Sequence, residues 1–181
     1  MDVLSQKVQE LMKELEPKFI EDLHWFHENP EMSFKEFDTT AYIRKELEAL
    51  GIEILDSGLE TGLVGYLRGG EEGPCIALRA DIDALPVTEE STCTYPSKRP
   101  GMMHACGHDT HASSLLSAAR ILAQLKDQIH GSVKFFFQPA EEINLGAKKM
   151  VKLGCLEGVD AIFGLHNSPE IPLGTVAVKH G

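Results

Sequence analysis

THASSLLSAARILAQLKDQIHGSVKFFF, residues 110–137, is the stretch of the chain that most strongly determines its fold class. Over 110–126 the apolar residues recur three and four positions apart, which predicts one buried face of an α-helix. That face carries Leu115, Ala118, Ala119, Leu122 and Leu125. The residues 133–137 are a short apolar and aromatic run typical of a buried strand. A helix that leads directly into a strand is the building unit of an α/β domain.

Similar elements are predicted on both sides of this stretch. We predict helices over 3–28, 39–50, 110–126 and 147–153, and strands over 63–68, 75–78, 133–137 and 161–165, with one more strand beginning at 174–179. Pro17 should mark a break or a new first turn in the first helix. Gly51 should end the second helix, and Asp109 or Thr110 should cap the third.

The connections complete the predicted architecture. The segment GGEEG between 63–68 and 75–78 indicates a hairpin of those two strands. Residues 84–103 show no period and are rich in Pro, Ser, Thr and Gly, so we predict a long loop, which in a compact domain is usually functional. The expected fold is α/β, with a mixed, mostly parallel sheet flanked by helices.

Composition excludes several classes of protein. The 181 residues are 43% hydrophobic and 25% charged, as in one ordinary globular domain. The net charge of −11 argues against a nucleic-acid partner, which needs a basic surface. No apolar run approaches the length of a membrane span, and the acidic N-terminal helix lacks the features of a signal peptide. We therefore expect no membrane partner and a cytoplasmic location.

The four cysteines are scattered and form no CxxC pair, so we do not expect a disulfide framework. Cys75 and Cys155 are predicted to be small buried hydrophobic residues. Cys93 lies in the long loop and receives no role. Cys106, in the segment MHACGHDTH, is a candidate metal ligand or nucleophile.

Polar residues cluster where the predicted strands end. The groups are Arg79, Asp81 and Asp83; Gln138, Glu141 and Glu142; His166 and Asn167; and, before the third helix, His104, Cys106, His108, Asp109 and His111. Ligands of open α/β sheets bind outside the carboxyl ends of the strands, so these groups should converge at one edge. Thiolate, imidazole and carboxylate together suit a divalent transition metal such as Zn or Mn.

The spacing within two groups supports this chemistry. Cys106 and His108 are one residue apart, so both side chains can point to the same side of an extended loop, and Gly107 permits close approach of the backbone. The adjacent carboxylates of Glu141 and Glu142 diverge, so one can bind metal while the other faces the substrate water. A base beside an activated water is what metal-assisted hydrolysis requires.

Four motifs in this order resemble the aminoacylase/carboxypeptidase family of dinuclear metallopeptidases. They are RADIDALPV (79–87), MHACGHDTHASSLLSAA (103–119), FFFQPAEE (135–142) and GLHNSPEIPLGTVAV (164–178). The likeness runs from about HENPEMSF (27–34) to the end of the chain, and it is strongest to the branch with hippurate hydrolases, N-acyl-amino-acid amidohydrolases and plant auxin-conjugate hydrolases. It implies a zinc-peptidase-like catalytic domain and, in the full-length form, a homodimer.

The resemblance also implies roles for particular residues. Cys106 resembles a thiolate ligand that bridges two divalent metal ions. These ions are expected to be Zn or Mn, and Co and Ni can use the same ligands. His108, Glu142 and His166 resemble the further metal ligands. Glu141 matches the general base, which takes a proton from the metal-bound water, and Asp83 matches a carboxylate that orients a ligand from behind.

Asp81 stands where other branches of the family carry a histidine ligand, and its role stays open.

The chain departs from the family pattern in two ways. Family members are roughly twice as long, with an inserted lid domain and a final histidine ligand that His180 does not match. The expected organisation of 1–181 is therefore the N-terminal, metal-binding portion of a catalytic domain, with the lid and the C-terminal catalytic segment absent. In addition, the glycine-rich segment after PAEE is shortened here to INLGAKKM.

The sequence thus predicts a metal-dependent amidohydrolase that cleaves small N-acyl amino acids or peptide-like compounds. Two alternatives stay open. A cysteine hydrolase would use Cys106 as nucleophile with His104 or His108 as base, and it should survive EDTA but not iodoacetamide. A truncated fragment would bind metal with little or no catalysis.

Overall fold

A five-stranded mixed sheet with helices on both faces forms the centre of the protein, in a computed structural model that describes residues 3–178. The elements are α1 (Val3–Glu28), α2 (Phe37–Ala49), β1 (Glu53–Ile54), β2 (Leu63–Arg68), β3 (Glu71–Asp81), α3 (His108–Gln124), β4 (His130–Gln138), α4 (Gly146–Lys152) and β5 (Ala161–Gly164), with a 3₁₀ turn at Lys126–Gln128. The predicted α/β class is confirmed. Within the described range, every helix is too short or too polar to cross a lipid bilayer, and the cytoplasmic location stays a prediction.

The strand order is β1-β2-β4-β3-β5. β3 pairs in parallel with β4 on one side and with β5 on the other, whereas β2 pairs antiparallel with β1 and β4. The three parallel strands end at the same edge, so the residues that follow them are brought together there.

The predicted hairpin of β2 and β3 is wrong, because β4 lies between these two strands. The glycines of GGEEG allow the connection from β2 to β3 to pass close to the start of β4, and they do not form a hairpin turn. The backbone N–H of Gly69 donates to Gly131 O at 2.9 Å and that of Gly70 to Lys126 O at 2.9 Å. A Cβ atom at Gly69 would lie 2.3 Å from Ile129 O, so the chain can pass the start of β4 this closely only without a side chain.

The sheet buries apolar residues on both faces. Alternate residues of β2, β3 and β4 pack against α1, α2 and α3 around Phe26, Ile43, Leu116, Phe135 and Phe137. The opposite face is covered by a smaller cluster that includes Phe136, Met150 and Cys155. Because successive strand residues point to opposite faces, the run VKFFF serves both layers, as its lack of polar alternation indicates.

Helix α1 is continuous through Pro17, so the predicted break is wrong. Leu11 packs against Ile121 and Leu125 of the α3 region, and Phe26 is buried in the main core. Packing on both sides of Pro17 therefore keeps the helix continuous despite the lost hydrogen bond. The predicted end of α2 is confirmed, because Gly51 has φ 72° and the N–H of Ile52 donates to Leu47 O at 3.0 Å, as in a Schellman cap.

Two further predictions concern the remaining segments. Residues 84–103 form a loop, as predicted, held by isolated bridges of Ala84 to Met32 and of Leu85 to Met103. The strand expected at 174–179 is wrong for 174–178, which form no strand, and Lys179 and His180 lie outside the described residues.

Candidate metal centre

The predicted metal ligands meet at the carboxyl edge of the parallel strands. One ligand atom each from Cys106, His108 and Glu142 lies within 4.8 Å of the other two. Cys106 Sγ is 3.4 Å from His166 Nε2, which brings the fourth predicted ligand to the same place. These side chains come from the loop before α3 and its first residue, from the turn after β4 and from the segment after β5, so only the fold makes them neighbours.

Two histidines are oriented in the same way. His108 Nδ1 donates to the backbone carbonyl of Asp83 at 2.9 Å, and His166 Nδ1 donates to that of Asn167 at 2.6 Å. In both rings Nε2 is left to face the cluster, as is usual for histidines that bind metal through one nitrogen.

Two buried atoms without hydrogen-bond partners give independent support for a metal ion at this cluster. His108 Nε2 and Glu142 Oε1 are buried and have no hydrogen-bond partner among the described residues. The two atoms are 3.8 Å apart. Buried polar atoms are normally paired, and a cation between a thiol, an imidazole and a carboxylate would satisfy both. Cys106, His108, Glu142 and His166 are the residues that would hold it.

Asp83 organises the centre from behind. Its carboxylate accepts the backbone N–H groups of Glu141 at 3.0 Å and Glu142 at 3.1 Å, and the hydroxyl of Ser33 at 2.6 Å. Its backbone carbonyl holds His108. One buried residue therefore sets the direction of the two glutamates and of one histidine.

The turn after β4 has an unusual backbone. Ala140 is fully buried with φ 49°, a left-handed conformation that residues other than glycine rarely adopt. Its N–H donates to Glu36 Oε1 at 2.8 Å, which helps to fix this conformation. The strained residue directly precedes Glu141 and turns the pair of carboxylates back toward His108, where Glu141 Oε2 lies 3.7 Å from His108 Nε2.

A glycine is required at position 107 because Asn167 approaches its backbone closely, as predicted for this position. It has φ 81°, and a Cβ atom there would lie 2.1 Å from Asn167 Nδ2. Gly107 is also the residue from which α3 begins, at His108, without a side-chain cap. The predicted cap at Asp109 or Thr110 is therefore wrong. The helix starts two residues earlier because the left-handed glycine turns the loop directly into it.

His111 was predicted to lie among the converging polar groups without a role of its own, and it is a member of the site. Its Nδ1 donates to Asp81 Oδ1 at 2.6 Å and its Nε2 accepts the N–H of Asn167 at 3.0 Å. Asp81, His108, His111 and His166 form a second group of possible ligands within 4.8 Å. The signal was present in the sequence, because His108 and His111 are three apart and share a helix face.

Asp81 is fully buried and is also bound by Arg79, whose guanidinium donates to Oδ2 at 2.6 Å. Burial by itself would raise the pKa of Asp81, but the hydrogen bond from His111 and the nearby His108 and Arg79 lower it to about 2. Asp81 is therefore a permanent negative charge beside the cluster. In this structure it holds His111.

The carboxylates of the centre have opposite pKa shifts. Burial would raise the pKa of Asp83, but hydrogen bonds from His108, Ser33 and two backbone N–H groups lower it. For Glu142 burial raises the pKa, and the charges of Asp83 and Glu141 raise it further. Glu142 thus lies in a concentration of negative charge that a divalent cation would relieve.

Cys106 lies in surroundings that disfavour a free thiolate nucleophile. Burial, followed by the charge of Glu142, raises the pKa of Cys106 to about 11. Nucleophilic cysteines have a lowered pKa. His104, one of the bases considered for a cysteine hydrolase, is buried, and burial lowers its pKa to about 4. Both shifts weigh against Cys106 as a nucleophile with His104 as its base.

Comparisons with known proteins show the family to which this chain belongs. Residues 77–181 match the family model described as peptidase family M20/M25/M40. An N-acetylcysteine deacetylase of Bacillus subtilis is 52% identical over 156 residues, which are 86% of this chain and 41% of that protein. An IAA-amino acid hydrolase of Arabidopsis thaliana is 45% identical over 155 residues, covering 86% of this chain and 35% of that protein.

A crystal structure of a Bacillus subtilis protein, described as a dinuclear metal binding peptidase from the M20 family, superposes with a TM-score of 0.90 at 49% identity. The match covers 93% of this chain and 47% of that one. The chain thus spans less than half the length of these relatives. With 105 of its 181 residues inside the matched range, the chain belongs to peptidase family M20/M25/M40.

Proposed function

We propose that this chain is the metal-binding portion of a dinuclear, metal-dependent amidohydrolase that cleaves the amide bond of N-acyl amino acids or small peptide-like compounds. The observation that carries the proposal is the convergence of Cys106, His108, Glu142 and His166 around buried, unpartnered donor atoms, with a second carboxylate, Glu141, beside them. The two named relatives act, by their names, on amides of amino acids.

Cys106, His108, Glu142 and His166 would hold two divalent cations, with Cys106 as the thiolate among these ligands. Its sulfur lies beside both His166 and the group of His108 and Glu142. Two cations, when bound, supply polarisation of the amide carbonyl and activation of a water molecule at neutral pH. The donor set suits Zn and Mn, and also Co and Ni.

Glu141 is proposed as the general base. Its backbone N–H is held by Asp83, and its side chain is one-third exposed, whereas that of Glu142 is half as exposed. Glu142 is therefore the inward carboxylate and Glu141 the one that substrate can reach. The Glu141 carboxylate would take the proton of the attacking water and pass it to the leaving amine, giving a carboxylic acid and a free amino acid.

The test compares Glu141→Gln with Glu142→Gln. With Mn or Zn added, we expect the chain to release amino acid from an N-acetyl amino acid, and EDTA to stop the reaction. Glu141→Gln should lower turnover by at least about 10²-fold, the scale of a lost acid–base group, and keep its metal. Glu142→Gln should lose metal. Undiminished turnover in Glu141→Gln would refute the assignment of the base.

The same assay separates a second candidate function, a metal-binding fragment without catalysis. The chain spans 41% of the deacetylase and 47% of the crystallised M20 peptidase. Metal bound at two equivalents with no detectable turnover would overturn the hydrolase proposal for this chain and support the fragment. Activity that survives EDTA but not iodoacetamide would instead support the cysteine hydrolase.

A further inference from the structure

A second group of metal-ligand side chains lies between α1 and the long loop 84–103. His27 Nε2 is 3.1 Å from Glu89 Oε1, Cys93 Sγ is 3.3 Å from the same oxygen, and Cys93 Sγ is 3.8 Å from His27 Nε2. None of these three residues belongs to the candidate metal centre described above. We propose that His27, Glu89 and Cys93 form a separate site for a single zinc ion.

The distances between the three atoms are those of a tetrahedral zinc site. With zinc bonds of about 2.0 Å to nitrogen and oxygen and about 2.3 Å to sulfur, tetrahedral angles place N and O about 3.3 Å apart, and place S about 3.5 Å from each of them. The observed separations of 3.1, 3.3 and 3.8 Å deviate from these by about 0.2 to 0.3 Å. Three protein ligands leave the fourth position of zinc to a water molecule.

Residues around the site orient two of the ligands. His27 Nδ1 donates to Asp109 Oδ2 at 2.6 Å, the carboxylate–histidine arrangement that directs Nε2 toward a metal. Glu89 Oε2 accepts the N–H of Ser97 at 2.6 Å, which turns Oε1 toward Cys93 and His27. The ring of Tyr95 packs edge-on against His27, with centroids 5.3 Å apart.

The two nitrogens of the His27 ring face different partners, Nδ1 facing Asp109 and Nε2 facing Glu89 and Cys93. The pKa of His27 is raised to about 9, chiefly by Asp109, so the ring is already paired by one carboxylate. Glu89 and Cys93 add an oxygen and a sulfur to the other ring nitrogen. Zinc would displace the proton from Nε2 and would fasten the loop 84–103 to α1.

The first test is cobalt binding in a Cys106→Ser background, where the candidate metal centre contributes no thiolate. Co²⁺ added to this variant should produce a thiolate-to-cobalt absorption band that saturates. A further Cys93→Ser change should abolish the band, whereas Cys75→Ser should leave it, because Cys75 lies outside the site. Absence of the band in the Cys106→Ser protein would overturn the proposal.

The second test uses the unaltered chain, so it does not depend on how the cysteine variants fold. Zinc chloride should slow alkylation of Cys93 by iodoacetamide at least about tenfold, measured by mass spectrometry of the peptide, on the scale of lost metal contacts. Glu89→Gln should remove this protection, and the matched change at its exposed neighbour, Glu90→Gln, should not. Equal alkylation rates with and without zinc would contradict the site.

Discussion

At the scale of single residues, the candidate centre depends on a few residues whose contacts position the ligands. Asp83 holds both glutamates by their backbone N–H groups, and Gly107 leaves room for Asn167. The sequence motifs pointed to the ligands because those residue types are rare in close spacing. The hydrogen bonds from the two glutamate N–H groups to Asp83 could not be predicted, because they join residues that are 58 and 59 positions apart in the chain.

Gly107→Ala is expected to weaken metal binding. The added Cβ would meet Asn167 Nδ2 at 2.1 Å and push away the segment that carries His166. A left-handed residue with a side chain also costs about 1–2 kcal/mol. We expect zinc affinity, measured by calorimetric titration, to fall by about tenfold or more.

The matched control is Gly101→Ala. Gly101 has φ 76°, close to that of Gly107, but a Cβ there meets nothing within 4 Å. This change should cost stability through backbone strain alone and leave zinc affinity unchanged. Equal affinities for the two variants would show that the contact with Asn167 does not matter to the centre.

At the scale of elements, a buried ion cluster joins three helices. Arg120 of α3 donates to Asp22 of α1 at 2.5 Å and to Glu46 of α2 at 2.5 Å. Asp22 is fully buried and also accepts the hydroxyl of Tyr42 at 2.7 Å. These polar residues lie on helix faces whose apolar neighbours alone would predict the packing, so the cluster could not be predicted from the sequence.

Arg120→Met is expected to lower the free energy of unfolding by about 3 kcal/mol, because it leaves Asp22 buried with less compensation. Lys18 and Tyr42 still bind the other oxygen of Asp22, which limits the loss. Urea unfolding measures the change. As control, Arg44→Met removes an exposed pair with Glu48 and should cost no more than about 1 kcal/mol. Similar losses in both variants would argue against a special cost of the buried cluster.

The contact of α1 with Asp109 predicts a pH dependence of stability. The pKa of His27 is raised from 6.5 to about 9, first by its hydrogen bond to Asp109 and also by Glu89. Folding therefore favours the protonated ring. This contribution to the free energy of unfolding is complete below pH 6.5 and disappears as the pH rises through about 9.

Chelator-treated protein should accordingly lose on the order of 2 kcal/mol more stability over this pH range than its His27→Gln variant. Urea unfolding at several pH values measures the difference. His130→Gln removes an exposed histidine that pairs with Glu71, and it should leave the slope of the wild-type protein unchanged. Parallel pH profiles for the wild type and His27→Gln would contradict the prediction.

At the scale of the whole molecule, the sheet has an uncovered side at β5. Within residues 3–178, β5 pairs only with β3, and its Ile162 and Phe163 are 49% and 61% exposed. Leu165, just beyond it, is 58% exposed. An edge strand with apolar side chains is prone to pair with another chain.

We therefore expect the 181-residue chain to self-associate in a concentration-dependent way, measured by sedimentation equilibrium. Phe163→Lys should raise the dissociation constant by about tenfold or more, since burial of such a side chain contributes about 1.5–3 kcal/mol. Val151→Lys alters a residue of α4 that is 58% exposed but away from β5, and it should change nothing. A monomeric wild-type chain at all concentrations would refute this expectation.

The sequence by itself determined the helices, most strand positions and the groups of polar residues that follow the strands. These features depend on the spacing of apolar residues within a single helix or strand, as with Leu115 in α3 and Phe135 in β4. Only the tertiary structure decided that β4 lies between β2 and β3, that α1 runs through Pro17, and that His27 and His111 bind Asp109 and Asp81. Such outcomes depend on which distant surfaces exclude water together and which buried polar atoms must then be paired, and short-range sequence patterns carry no record of either.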